Sequence, residues 1–208
     1  MKPGTSLIIH LVLTTATVVV LSLGNVAAQR KTEPRMIARW DVQATGVTDD
    51  LTAVQFVNDN LGFAAGKNNT IIRTTDGGAT WTGVTQEVSE ITNKIRFASL
   101  TTGWAFGKNG SFVLASSDGG KTWKAQPTGL PDYRPPVDIS VLSERQVFMC
   151  TTEAVLSTSN GGDSWKVIGN FRSETISALS FPDSNHGWVV GRQGFVSHYH
   201  MVPANQPR

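Results

Sequence analysis

Thr74-Thr75-Asp76-Gly77-Gly78-Ala79-Thr80-Trp81 returns as Ser116-Ser117-Asp118-Gly119-Gly120-Lys121-Thr122-Trp123 and again as Thr158-Ser159-Asn160-Gly161-Gly162-Asp163-Ser164-Trp165. Trp81, Trp123 and Trp165 stand 42 residues apart, and a fixed period near forty residues marks a repeat architecture. Each part of the octet has a physical task. The side-chain oxygen of Asp76, Asp118 or Asn160 can accept backbone N–H groups within its own turn, and the paired glycines, with Gly78, Gly120 and Gly162 second in each pair, permit the positive φ angles of a tight strand-to-strand turn. The octets therefore read as hairpin turns. Trp81, Trp123 and Trp165 then open the next strand, where a large indole suits a wedge between neighbouring sheets.

Between the tryptophans the chain shows short alternating runs and no helical period. First strands are expected at residues 51–56, 91–97, 137–141 and 176–181, and second strands at 62–66, 103–107, 147–150 and 187–191. Third strands run at 70–74, 112–116 and 154–158 into the octets, and fourth strands begin at the tryptophans. Four antiparallel strands per repeat make a propeller blade, so the expected fold is an all-β propeller of about four blades over residues 40–200. The fourth repeat lacks its octet, because Val202 and Pro207 stand where its Asp and Trp belong. Trp40-Asp41-Val42-Gln43 lies one period before Trp81 and is expected to be an orphan fourth strand that closes the last blade by pairing near residues 195–197. The alternative is an open, partial propeller completed by self-association, since an open end exposes a sheet face built to be buried.

Residues 1–28 read as a secretory signal peptide, with an apolar run from Leu7 to Leu23 and small residues Val26-Ala27-Ala28 before the cleavage point. This predicts an exported protein, periplasmic, lumenal or extracellular, with no membrane insertion after cleavage. Residues 29–39 read as a flexible leader and 201–208 as a disordered tail. The formal net charge of +2 gives no electrostatic reason to expect nucleic acid. Cys150 is the only cysteine, set in an apolar run, and reads as a buried side chain with no disulfide framework around it. His198-x-His200 lacks the carboxylate or thiolate company of a metal site, so neither metal nor cofactor is expected.

The octet resembles the Asp box of the sialidase-type (BNR) repeat propellers. The combination of "ITNKIRFAS", "GWAFGKNG" and "SSDGGKTW" resembles the photosystem II stability/assembly factor domain, a non-enzymatic branch of that class. The resemblance implies a structural role for the octets and a protein-binding scaffold or assembly factor, with another protein, such as a membrane-complex subunit, as partner. The competing reading is a sialidase-like glycoside hydrolase or a carbohydrate-binding secreted protein. A sialidase site resembles three clamping arginines, a tyrosine nucleophile and an aspartate acid. Here the only tyrosines are Tyr133 and Tyr199, while Arg73, Arg96 and Arg192 occupy three different strand positions. No catalytic residue is assigned.

In an up-and-down blade the octets share one face of the propeller with the turns between first and second strands. The turns between second and third strands share the other with the links between blades. That second face receives Lys67, Lys108 and Arg192, each directly after its second-strand glycine, with Thr151 at the matching position of the third repeat. It also receives the longest link, residues 127–136, carrying Tyr133 and Arg134 between prolines. Basic residues beside a stiff aromatic loop fit a protein or peptide docking surface, so Lys67, Lys108, Arg192, Tyr133 and Arg134 are the expected binding residues.

Overall fold

The computed structural model describes residues 37–84, 92–107, 111–130, 134–172 and 174–203. The signal peptide, most of the leader and the end of the tail lie outside the described residues, as do Lys108 and Tyr133. Residues 37–40 belong to an N-terminal unit and carry no strand, while Asp41–Arg208 forms the second unit. Among the described residues no helix is long and apolar enough to cross a membrane.

The second unit is built of four antiparallel sheets taken in sequence order. Blade 1 holds β1 (Leu51–Phe56), β2 (Gly62–Gly66), β3 (Ile71–Thr74) and β4 (Thr82–Gly83). Blade 2 holds β5 (Thr92–Phe97), β6 (Gly103–Gly107), β7 (Phe112–Ser116) and β8 (Lys124–Pro127). Blade 3 holds β9 (Pro136–Val141), β10 (Val147–Thr151), β11 (Ala154–Thr158) and β12 (Lys166–Asn170). Blade 4 has β13 (Ile176–Ser180), β14 (His186–Gly191) and β15 (Val196–His200), with β15 as a free edge among the described residues. The strands follow the spacing of the repeats, and each fourth strand begins one residue after its tryptophan.

The octets form the turns their composition dictates. Thr74 Oγ1 donates to Asp76 Oδ1 at 2.7 Å and accepts the Gly78 N–H at 2.9 Å. Asp76 in turn accepts the N–H and hydroxyl of Thr80 at 2.9 and 2.6 Å. Ser116 and Asp118 repeat this with Gly120 and Thr122. In the third octet the Asn160 amide substitutes for the carboxylate, its oxygen accepting from Thr158 and its NH2 donating to Ser164. All six glycines have positive φ, from 72° to 92°, a region that side chains with a Cβ enter only with strain. Each octet also ties to the first turn of its own blade, through Gly77 N–H to Asn60, Gly119 N–H to Thr101 and Gly161 N–H to Arg145 carbonyls. That places octets and first turns on one face, as expected.

Neighbouring blades pack through the two faces of each sheet. Along the first strands, alternate residues look forward or back: Gln55 on β1 bonds both the N–H and the carbonyl of Phe97 on β5, at 2.7 and 3.3 Å. Ser140 on β9 makes the same two bonds to Phe181, just past β13. From the second strands, Phe63 stacks on Phe97 and Phe148 on Phe181 across the first and third junctions. Octet tryptophans pack into the first and second junctions: Trp123 lies in the core between blades 1 and 2, and Trp165 packs against the core between blades 2 and 3. Three interblade cores result, the third built around Phe148, Cys150, Ile176 and Phe181.

The row is not closed, which corrects the expectation that residues 40–43 complete the last blade. Residues 41–43 form no strand, and Gln43 lies on the first octet, bonding the Trp81 indole N–H at 3.2 Å and the Gly77 carbonyl at 3.5 Å. The exposure of equivalent residues marks the open ends. Val54 is 63% exposed, whereas Ile95, Ile139 and Leu179 at the same strand position are at 0%, 6% and 8%. At the other end Trp188 is 40% and Val190 42% exposed, whereas Trp104 and Phe106 at the same positions of blade 2 are at 0% and 1%. The partial propeller, held as the alternative from the sequence, is the observed architecture.

Candidate protein-binding face

The ends of the second strands position the basic residues through one repeated turn. In blade 1 the Gly66 N–H bonds the Thr70 carbonyl, the Lys67 N–H reaches back to the Asp50 carbonyl, and Thr70 N–H closes on Lys67. Blade 4 makes the same three bonds: Gly191 to Phe195, Arg192 to Thr175, and Phe195 to Arg192. Lys67 and Arg192 are therefore equivalent by backbone geometry as well as by sequence. In the third repeat the expectation needs correction. Thr151 pairs with Pro136 across a bulge, the place Gly66 takes opposite Leu51, so Thr152 and not Thr151 matches Lys67. Thr151 instead accepts the Glu153 and Ala154 N–H groups with its hydroxyl inside a buried turn.

The side chains of this face are less uniformly positive than the sequence suggests. Lys67 pairs with Asp50, and the Asp50 partnership raises the lysine above its ordinary pKa. Beside it Asp49 binds Thr70 and Asn68, and these bonds hold its carboxyl below the usual range. Arg134 forms an ion pair with Glu153 at 3.3 Å and is largely buried, so it braces the link against the turn between β10 and β11. Arg192 is exposed and makes no ion pair among the described residues. The face thus alternates Asp49, Asp50 and Glu153 with Lys67, Arg134 and Arg192. Sequence reasoning missed the acidic members, whose partners lie 17 and 19 residues away along the chain. Lys108 and Tyr133 lie outside the described residues.

Nothing among the described residues assembles a metal site: no group of three His, Cys, Asp or Glu side chains converges. His198 is instead stacked on Trp188, with centroids 4.6 Å apart and planes at 12°. Arg73, considered above as a substrate clamp, donates Nε–H to the Gly119 carbonyl at 2.7 Å and so joins blade 1 to the second octet. Arg96 turns back on its own strand, to the Ile95 carbonyl at 2.8 Å.

A family model described as photosynthesis system II assembly factor YCF48 matches residues 32–177. The chain belongs to the YCF48 family. Among solved structures, YCF48 bound to D1 peptide is 25% identical with a TM-score of 0.61, covering 79% of this chain and 53% of that one. YCF48 from Cyanidioschyzon merolae is 16% identical with a TM-score of 0.58, covering 74% of this chain and 51% of the other. The chain thus spans about half the length of the YCF48 structures it matches. An ancestral GH74 enzyme aligns at 12% identity and a TM-score of 0.61 over 24% of its length, a likeness of fold alone. No curated protein matches the sequence. Membership in the YCF48 family agrees with the resemblance carried by the octets and second strands.

Proposed function

We propose that this YCF48-family chain is an exported, non-enzymatic scaffold that binds a peptide segment of another protein, a membrane-complex subunit, on the face at the ends of its second strands. The observation that carries this reading is the family match together with the 25% identical YCF48 structure, which holds a D1 peptide. Lys67, Lys108, Arg192 and the Tyr133-Arg134 link form the binding residues. Alternating charge suits recognition of an extended peptide, because paired lysines and carboxylates can re-partner with charges and backbone groups of the ligand. The signal-peptide pattern of residues 1–28 supports export. The absence of a tyrosine, arginine and aspartate constellation in the sequence supports a non-enzymatic role, and Arg73 and Arg96 are engaged with backbone carbonyls.

The test is titration of labelled D1 peptide by fluorescence anisotropy. Reversal of Lys67, Lys108 and Arg192 to Glu weakens binding about tenfold, given the modest worth of each exposed charge contact. The loss resembles the effect of raised salt on the native protein. Reversal of the exposed Lys121, Lys124 and Lys166, on the octet face and outer strands, leaves binding within about twofold by the same reasoning. Equal losses in both variants, or turnover of a sialoside by the purified protein, would overturn the proposal.

A further inference from the structure

We propose that Asn160 is a modification site: its side-chain amide is hydrolysed to a carboxylate when the third octet opens, while the closed octet suppresses the reaction and accommodates its aspartyl product. The site lies on the octet face, away from the proposed peptide-binding residues.

The reactive pair follows from the turn. Gly161 has φ of 74°, as Gly77 and Gly119 have 72° at the same place in the other octets, and glycine enters that left-handed region without strain. An octet that exchanges its aspartate for asparagine therefore becomes Asn-Gly, a pair in which no side chain on the second residue shields its backbone nitrogen. Asn109-Gly110 is the other such pair in the sequence. In the reaction the Gly161 nitrogen attacks Asn160 Cγ. The Cγ–Nδ2 bond breaks, and the amide group leaves as ammonia with the proton of the Gly161 nitrogen, which closes a five-membered imide. Water then opens the ring. Cleavage of the new bond to Cγ gives aspartate in an unaltered chain, whereas cleavage of the bond to the Asn160 carbonyl carbon gives the isoaspartyl isomer, in which the main chain runs through the side chain. Water is the only co-reactant, and Asn160 and Gly161 are half-buried rather than sealed from it.

The closed octet holds both reacting groups. The Gly161 N–H donates to the Arg145 carbonyl at 3.0 Å. Asn160 Oδ1 accepts the Thr158 hydroxyl at 2.8 Å and the Ser164 N–H at 3.1 Å, and its Nδ2 donates to Ser164 Oγ at 3.0 Å. Ring closure draws Cγ onto the Gly161 nitrogen and strips that nitrogen of its proton, so these bonds must break first. The reaction is thereby confined to local openings of the turn.

The two products differ in fit. Asp76 and Asp118 occupy the same place in their octets and accept both the N–H and the hydroxyl of Thr80 and Thr122. With a carboxylate at position 160 the Ser164 hydroxyl turns from acceptor to donor, and the bonds from Thr158 and the Ser164 N–H are kept. The isoaspartyl form inserts an atom into the main chain between Thr158 and Gly162, whose N–H bonds Thr158 Oγ1 at 2.9 Å. The folded octet retains the first product and rejects the second.

Peptide mapping by mass spectrometry follows Asn160 in the full chain at mildly alkaline pH, folded and in denaturant. In denaturant Asn160 and Asn109 convert at similar rates, and folding slows Asn160 at least about tenfold, because several hydrogen bonds must be lost before the ring can close. Ser164→Ala removes the acceptor of Nδ2 at an exposed position and speeds conversion several-fold in the folded protein. Ser164→Thr, which supplies the residue of the other two octets, keeps it slow and so separates this bond from a general loosening. Asn160→Asp retains the melting temperature of the parent at neutral pH, and in a sample aged in denaturant and refolded the isoaspartyl form stays in the unfolded fraction. Conversion as fast in the folded chain as in denaturant, equal rates in Ser164→Ala and the parent, an Asn160→Asp protein that melts well below the parent, or an isoaspartyl form that refolds like the rest overturns the proposal.

Discussion

Phe148 and Phe181 stack across the third junction with ring centroids 3.8 Å apart and planes at 7°, and Phe63 and Phe97 repeat the contact across the first at 4.0 Å and 8°. One ring comes from a second strand and the other from the end of the next first strand, so each stack joins two sheets that share few backbone bonds. Phe148→Ala removes a buried ring whose neighbours belong to both blades. Its expected cost is about 3 to 5 kcal/mol, read from the midpoint of urea unfolding. A change below about 1 kcal/mol would mean that the junction does not hold the blades together.

The octet carboxylates predict an acid transition. Thr80 hydroxyl and N–H bonds hold Asp76 at about 2. Burial opposes the charge of Asp118, but the bonds from Thr122, Ser116 and Lys121 outweigh it and bring that group to about 2 as well. Both values lie below the ordinary carboxylate pKa of 3.8. The stabilisation is therefore complete above that ordinary value and is lost as pH falls from about 4 through about 2. Asn160 shows that an amide can make the same turn without titrating. Asp118→Asn should flatten part of the pH dependence of the melting temperature in that window, while Asp118→Ala costs about 1 to 3 kcal/mol at neutral pH.

Two glycines separate conformational strain from contact. Gly120 and Gly129 have φ of 73° and 75°, but a Cβ on Gly120 would lie 2.1 Å from the Phe63 ring, whereas none would meet an atom within 4 Å at Gly129. Gly129→Ala should cost about 1 to 2 kcal/mol from the left-handed backbone alone. Gly120→Ala should cost more, because it also dislodges Phe63 from Phe97. Equal losses in thermal unfolding would remove the close approach from the account.

Cys150 is held silent. Burial, and then the negative charge of Asp138, push its thiol up to about 12. A thiol reagent at pH 8 should leave it unmodified in the folded protein and react fully after denaturation. Rapid labelling under native conditions would show that the third core opens.

The fold was legible because its determinants are local. Thr74, Asp76, Gly78 and Thr80 contact one another within seven residues, so the octet announces its own turn and the interval between octets announces the blade. The candidate face was legible only in part. The equivalence of Lys67 and Arg192 follows from strand spacing, but their partners do not: Asp50 lies 17 residues from Lys67, and Glu153 meets Arg134 across a turn. The shift from Thr151 to Thr152 arises because β10 runs one residue past Cys150 and ends at Thr151, in the place Gly66 takes at the end of β2, with no glycine to mark it. The open ends were illegible for a related reason. Val54 and Ile95 look alike as letters, and only the presence or absence of a preceding blade makes one exposed and the other buried.

Hydrogen exchange with bound D1 peptide tests the placement of the partner site most directly. The account predicts added protection in the turns at residues 66–70 and 191–195 and in the link leading to Pro136, with exchange at the octets unchanged. Protection centred on the octets, or no protection anywhere at saturating peptide, would contradict it.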